Sequence, residues 1–239
     1  PGSVGGLMTP DTRAPRDFRE VARIGGELAD RSMKALASEA CKAVPGFPVD
    51  SKSETVLVPI ENSRYLMFLR SLVSGHRLLD ASGNPLPGPK AYTLPARHII
   101  RRLKKDELPL VETEVSFLSL GPACGLGIPG ELFPELAIGG FAGEFRGGQP
   151  LVDPPNPDPP DLAKAPKGPY LKELLPCKTR FVVNLANDEL GYFVPEYDFK
   201  IQDNLTLLPR RPGHHYEETN SIGRSATGIV TDAARRLMR

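Results

Sequence analysis

The sequence predicts a layered α/β domain, a sheet covered by helices, and three observations carry that prediction. An amphipathic helical stripe opens the chain, strand-like apolar runs follow, and a second amphipathic stripe closes it. Helix, strands, strands, helix is an order that lets helical stripes bury the apolar face of a sheet. No repeat period interrupts it, and 239 residues can enclose a substantial core as one large domain or two small ones.

Each element has a local reason. In residues 16–44, Phe18, Val21, Ile24, Leu28, Met33, Leu36 and Ala40 recur at helical spacing, a stripe suited to burial against a sheet. Asp17 can cap the start, and Pro45-Gly46 ends the run. Gly25-Gly26 lowers helix propensity inside it and predicts a close packing contact there. Glu54 to Ile60 reads as a strand. Residues 63–104 carry no decisive period: Tyr65 to Leu72 fits helix or strand, Asp80 to Lys90 is rich in turn residues, and His98 to Lys105 is a basic exposed segment.

Val111, Thr113, Val115 and Phe117 alternate with Glu112, Glu114 and Ser116, the mark of a half-buried strand. A second short strand, Ala123 to Ile128, follows the Gly121-Pro122 turn. It runs into Pro129-Gly130-Glu131 and a helical segment beyond. Residues 147–169 form a proline-rich extended loop, since Asp153 to Pro160 excludes regular sheet or helix. Arg180 to Leu185 reads as a buried strand leading into the turn from Ala186 to Tyr192. The closing helix spans about 221–238, with Ile222, Ala226, Ile229, Val230, Ala233 and Leu237 on its apolar side.

Composition removes several classes of function. Thirty basic and twenty-nine acidic residues leave a formal charge of +1, and no basic block offers a surface for nucleic-acid phosphates. The longest uncharged stretch, Val115 to Gly130, is too short and too broken by proline and glycine for a membrane span of about 20 residues. Cys41, Cys124 and Cys177 form no CxxC pair; they read as small buried hydrophobes, with one bridge between two of them left open. The compartment stays open, and secreted, periplasmic or cell-surface locations are all compatible. The start at Pro1, without an initiating methionine, reads as a fragment, a processed chain or an engineered one.

Three junctions gather polar side chains beside glycine turns: Pro129-Gly130-Glu131, Asn187 through Tyr192, and His214 through Glu218. A carboxylate at a strand end is a hard-oxygen ligand suited to zinc, and a phenol can ligate or hydrogen-bond at the same centre. Taken singly, each has a plainer reading. Glu131 fits the first turn of a helix, where it would favour the macrodipole, and Tyr192 fits an apolar core. Adjacent His214 and His215 diverge and fit an exposed loop.

Taken together and in order, the local wording resembles the catalytic region of the neutral ceramidases and the wider group of bacterial neutral/alkaline non-lysosomal ceramidase-like proteins. The matching stretches are residues 115–121 (VSFLSLG), 127–136 (GIPGELFPEL), 184–195 (NLANDELGYFVP) and 215–221 (HYEETNS). With the glycine-rich opening and the helix around Ile24, the resemblance spans nearly the whole chain.

The resemblance implies hydrolysis of the amide of a lipid-like N-acylsphingosine by a zinc-activated water. In that family two upstream histidines, the Glu of the Pro-Gly-Glu turn and a Tyr after the Asn turn hold the zinc. Glu131 and Tyr192 occupy the last two positions. A further family tyrosine, which precedes a Glu and polarises the scissile carbonyl, corresponds to Tyr216 before Glu217. The family's serine turn falls near Gly5 to Pro10, where Thr9 takes the serine's place. Residues 1–239 would then be the C-terminal part of a larger catalytic domain, inactive alone, with the histidines coming from a missing N-terminal part or a partner chain. His76, His98, His214 and His215 do not occupy the family's histidine positions, and the loop from Tyr192 to Tyr216 is longer than in the family. Two alternatives keep the fold: a non-catalytic binding or scaffold relative, and a hydrolase of a different amide or ester.

Overall fold

A computed structural model describes residues 2–6, 17–41, 46–62, 65, 75–87, 108–140, 155–200 and 216–239. The chain divides into two compact units, Leu7–Pro48 and a larger one made of Pro1–Gly6 with Val49–Arg239. The layered α/β class read from the sequence is the fold of the larger unit.

The smaller unit is built on helix α1, Phe18–Leu36. Asp17 caps it as expected, its Oδ1 accepting from the amides of Arg19 (2.9 Å) and Glu20 (3.3 Å). Arg23 ties the first two turns together through ion pairs to Glu20 and Glu27. The helix stops at Leu36, earlier than the periodicity implies. Its apolar stripe is not covered by the unit: Phe18, Val21, Leu28, Met33 and Leu36 are all exposed. Nor does Gly25-Gly26 mark a close contact, since a Cβ at either position meets nothing within 4 Å. Helical period reports amphipathicity, and among the described residues of this unit no second element is present for the stripe to pack on.

The larger unit is a mixed sheet of five strands: β1 (Val49–Pro59), β2 (Arg77–Leu79), β3 (Leu110–Leu120), β4 (Ala123–Gly127) and β6 (Thr179–Val183), in the order β1-β3-β4-β6 with β2 paired to β3. β5 (Glu131–Leu132) and β7 (Tyr192–Phe193) make a separate two-stranded ladder. Short helices α2 (Pro134–Ile138) and α3 (Leu171–Leu174) precede β6, and α4 (Ala226–Leu237) ends the chain. β1 runs antiparallel to β3 with Val58 opposite Val111 and Val56 opposite Thr113, which puts the apolar side chains of both strands on one face. β4 adds Cys124 and Leu126 to that face, and β6 adds Val182.

α4 covers it with Ala226, Val230 and Ala233 of the predicted apolar side and with Ala234, buried against β1 and β3, while the helix starts at Ala226 and Ile222 is buried just ahead of it. Ser225 makes no side-chain cap, and its amide instead donates to Glu61 Oε2 at 2.8 Å, so a carboxylate from the end of β1 serves the helix N-terminus.

The opposite face of the sheet stays exposed. Register places Val49, Leu118, Leu120, Phe181 and Val183 on it together, and all five are accessible. β6 is therefore not the buried strand its composition implied. Only Val182 is buried, since β6 is the last strand of the sheet and among the described residues no layer covers the face that carries Phe181 and Val183.

Cys124 of β4 and Cys177, just before β6, form a disulfide, while Cys41 is free and exposed. The thiol reading thus holds for none of the three as a buried hydrophobe in free form. The described part of the proline-rich loop, residues 155–169, contains one 3₁₀ turn, Leu162–Lys164, and no strand. No helix among the described residues is long and apolar enough to cross a membrane.

Candidate functional site

The site grows from the end of β4. Beyond Gly127 the chain turns at Pro129-Gly130, with the Gly130 amide donating to the Ile128 carbonyl at 2.9 Å. A second loop wraps that turn: the amides of Leu185, Ala186 and Leu190 donate to the carbonyls of Gly130, Ile128 and Pro129 at 3.0–3.1 Å. The wrapping bends the backbone sharply, and Leu185 (φ 55°) and Asn187 (φ 67°) adopt left-handed conformations that cost a leucine about 1–2 kcal/mol. Asn187 is held there by its Nδ2, which donates to Glu114 Oε1 at 2.6 Å. Only a glycine fits at 130, because a Cβ would lie 2.5 Å from the Gly191 carbonyl oxygen and 2.8 Å from the Phe193 ring.

This clasp delivers two short strands side by side. β5 and β7 pair in parallel with Glu131 opposite Tyr192 and Leu132 opposite Phe193. The Glu131 amide donates to Gly191 O at 2.9 Å, and Asn184, fully buried, donates through Nδ2 to Leu132 O at 3.2 Å. Glu131 is therefore a strand residue and not the opening of a helix. The acidic residue in the first turn of α2 is Glu135, whose side chain is buried and accepts from the Tyr197 hydroxyl at 3.2 Å.

Tyr192 packs its ring among Phe133, Val194 and Phe199, as a core aromatic would. Its hydroxyl meets the Tyr216 hydroxyl at 3.1 Å, with the two rings edge to face at 5.8 Å. Glu131, Tyr192 and Tyr216, far apart in sequence, thus stand together. Tyr216 heads a 3₁₀ turn, Glu217–Asn220. Its carbonyl accepts from the Thr219 amide (3.0 Å) and the Thr219 hydroxyl (2.6 Å). The amino-terminal segment also reaches this place: the Gly5 amide donates to Leu132 O at 3.1 Å, and a Cβ on Gly6 would sit 3.6 Å from Glu217 Oε1.

The electrostatics are those of a place short of positive charge. Burial, helped by the nearby Glu189 and Glu217 carboxylates, pushes Glu131 above the usual carboxylate range against a lowering contribution from the Tyr192 phenol. Glu189 is pushed up as well, chiefly by burial. The Tyr192 phenol is raised by burial, by its bond to Tyr216 and by Glu131. Glu131 Oε2 is buried and accepts no hydrogen bond among the described residues. A buried carboxylate oxygen without a donor, beside a phenol and further carboxylates, has the chemistry to receive a cation. Among the described residues no group of three or more His, Cys, Asp or Glu side chains is arranged to hold a metal ion.

One loop residue earlier the chemistry changes. Asp188 accepts from Thr113 Oγ1 and from the Glu189 amide, each at 2.7 Å, and pairs with His76 Nε2 at 2.7 Å. Burial pushes its carboxyl up, but those three bonds outweigh it and hold Asp188 below the ordinary range.

Thr9, His98, His214 and His215 lie outside the described residues. Two neighbours had no signal of their own in the sequence. Asn62, at the end of β1, and Tyr65, in the stretch without a clear period, both hydrogen-bond the turn that carries Tyr216.

No family profile matches the chain, and no curated protein matches it. Among solved structures the chain is similar to neutral ceramidase from Pseudomonas aeruginosa, at 12% identity and a TM-score of 0.42. The alignment covers 97% of this chain and 35% of that one, so the chain spans about a third of the length of the ceramidase it matches.

Proposed function

We propose that this chain supplies part of the site of a zinc-dependent hydrolase that cleaves an amide in a lipid-like substrate. The observation that carries the reading is the pairing of Glu131 with Tyr192 across the β5–β7 ladder, with Glu131 Oε2 buried and undonated and the Tyr216 hydroxyl 3.1 Å from that of Tyr192. The motif resemblance assigns the same three residues to one centre, and the geometry supports that assignment.

In this reading Glu131 and Tyr192 hold the metal. Zinc typically takes three protein ligands in a catalytic site, so histidines from another segment of the protein or from a partner chain complete the set. Bound there, zinc supplies Lewis acidity at the scissile carbonyl and a water acidic enough to act near neutral pH. This chain's own residues do the rest. Tyr216 is exposed with its hydroxyl held by that of Tyr192, and it donates to the carbonyl oxygen as negative charge develops on it. Glu189 and Glu217 keep the surroundings negative, which favours a neutral amide over an anionic substrate. The motif resemblance also gives Thr9 the role of a further hydroxyl toward the substrate. The Cys124–Cys177 disulfide favours an oxidising compartment.

Metal analysis of the full-length protein tests the reading. After dialysis it retains about one zinc per chain, and Glu131→Ala and Tyr192→Phe each lower that content while the far-ultraviolet spectrum is preserved. Full-length protein that binds no zinc and cleaves no amide leaves the non-catalytic binding relative, and zinc and amidase activity that survive Glu131→Ala unchanged sink the proposed site.

A further inference from the structure

The side chains of the site arrive on two separately built pieces of backbone. Glu131 and Tyr192 are set by the register of the β5–β7 ladder. Tyr216 belongs to a different piece, the 3₁₀ turn Glu217–Asn220, and that turn must be docked at the right height for the two hydroxyls to meet at 3.1 Å. Two residues supplied from near the end of β1 do the docking. Asn62, buried, spreads its Nδ2 over the carbonyls of Ser221 (2.7 Å) and Thr219 (3.1 Å). Tyr65 reaches further. Its hydroxyl lies 2.6 Å from the Asn220 carbonyl, at the end of the Tyr216 turn, and 3.3 Å from the Leu190 carbonyl, two residues before Tyr192. One phenol oxygen therefore sits between the two pieces of backbone that carry the two site tyrosines.

A second, independent observation marks the same point. Gly191 joins Leu190 to Tyr192, and a Cβ there would run into both the Asn220 carbonyl oxygen and the Tyr65 hydroxyl. The backbone is closed up around this phenol so tightly that no side chain fits beside it. Gly191 also bridges to Ser221, so the contact continues past the phenol.

We propose that Tyr65 is a positioning residue for the candidate site, its hydroxyl pinning the Leu190 and Asn220 carbonyls so that Tyr216 is held in register with Tyr192. The inference rests on the reading of Tyr216 as the group that polarises the carbonyl. Tyr65 touches neither substrate nor metal in it; it acts through Tyr216. Without the pin, the Tyr216 turn keeps its own internal bonds and its tie to Asn62 but loses its fixed height over β7. A misplacement on the order of an ångström then lowers turnover by about 10- to 100-fold.

The test is a double-mutant cycle on the full-length protein with a long-chain N-acyl amine that releases a fluorescent amine on hydrolysis. Tyr65→Phe keeps the ring and deletes the pin; Tyr216→Phe deletes the hydroxyl being placed. Tyr65→Phe is expected to lower kcat with KM little changed, and to lower it no further when added to Tyr216→Phe. Thermal melting of all three variants accompanies the kinetics, and zinc content reads whether Glu131 and Tyr192 still hold their place. If the two substitutions multiply instead, Tyr65 acts on folding alone and the proposal is lost, while the reading of the site stands as long as Glu131→Gln abolishes turnover. If Glu131→Gln and Tyr216→Phe both leave turnover intact, the site reading itself fails and takes this inference with it. Should Tyr65→Phe fold poorly, Gly191→Ala, whose methyl drives into the same Tyr65 hydroxyl, replaces it: turnover falls and again does not fall further on Tyr216→Phe, and a multiplicative result there is equally fatal.

Discussion

Gly191→Ala puts the geometry of the site to a quantitative test. Two costs are expected. The first is conformational: φ at 191 is +80°, and an alanine in the left-handed region loses roughly 1–2 kcal/mol. The second is steric, since the new Cβ drives into the Asn220 carbonyl and the Tyr65 hydroxyl and forces that hydrogen bond apart. Leaving a buried donor or acceptor unsatisfied costs about 1–3 kcal/mol, so the whole loss is about 2–5 kcal/mol. Gly83 provides the control. Its φ is +85°, nearly the same, but a Cβ there meets nothing within 4 Å, so Gly83→Ala carries the conformational cost alone. Urea unfolding read by tyrosine fluorescence suits a chain with six tyrosines and no tryptophan. The excess of Gly191→Ala over Gly83→Ala isolates the clash. Equal losses from the two substitutions would falsify the close approach of Tyr65 and Asn220 to Gly191.

Three further outcomes are expected. The Cys124–Cys177 bridge spans a sequence separation of 53, for which loop-closure entropy gives about 4 kcal/mol; Cys177→Ser lowers unfolding stability by that order and Cys41→Ser does not, and equal midpoints for the two variants would contradict it. Asp188 is held below the ordinary carboxylate range, so its unfolded form binds the proton first. The stability it contributes is present above an unfolded value of 3.8 and is lost as pH falls through the lower folded value; Thr113→Ala weakens that acid-side loss, seen in urea melts between pH 2 and 6. Glu131 has the opposite sign: its folded value is raised above 4.5, so its charged form costs stability at neutral pH. Glu131→Gln should melt higher than the parent in chelator and, on the proposed zinc reading, show none of the gain that zinc gives the parent. A lower melting temperature in chelator contradicts the burial described for this carboxylate.

Long elements with a clear period were legible in the sequence. β1, β3 and β4 alternate or run apolar for five residues or more, and α4 shows its buried side at Ala226, Val230 and Ala233. What periodicity could not supply was a partner. The stripe on α1 and the apolar composition of β6 are both real, but both are exposed, with no covering layer among the described residues of their own units. β5 and β7 have two residues each, too few to carry any period, yet they form the ladder that brings Glu131 to Tyr192. Wording and order singled out Glu131, Tyr192 and Tyr216, and the fold brings the three side chains together. Tyr65 was not, because its role depends on two carbonyls, which every residue has, and on a glycine whose missing Cβ becomes meaningful only when the neighbours are in place.

The parallel pairing of β5 with β7 has a consequence for how anything bound there acts on the protein. Parallel strands must be joined by a crossover, and here that crossover contains α2, α3 and β6. Glu131 and Tyr192 become neighbours only when the whole intervening stretch has folded back and β6 has taken its place beside β4. An unfolded or half-folded chain presents the two groups as unrelated side chains. A cation that bridges them therefore recognises completed topology, and its binding free energy is added to the native state alone.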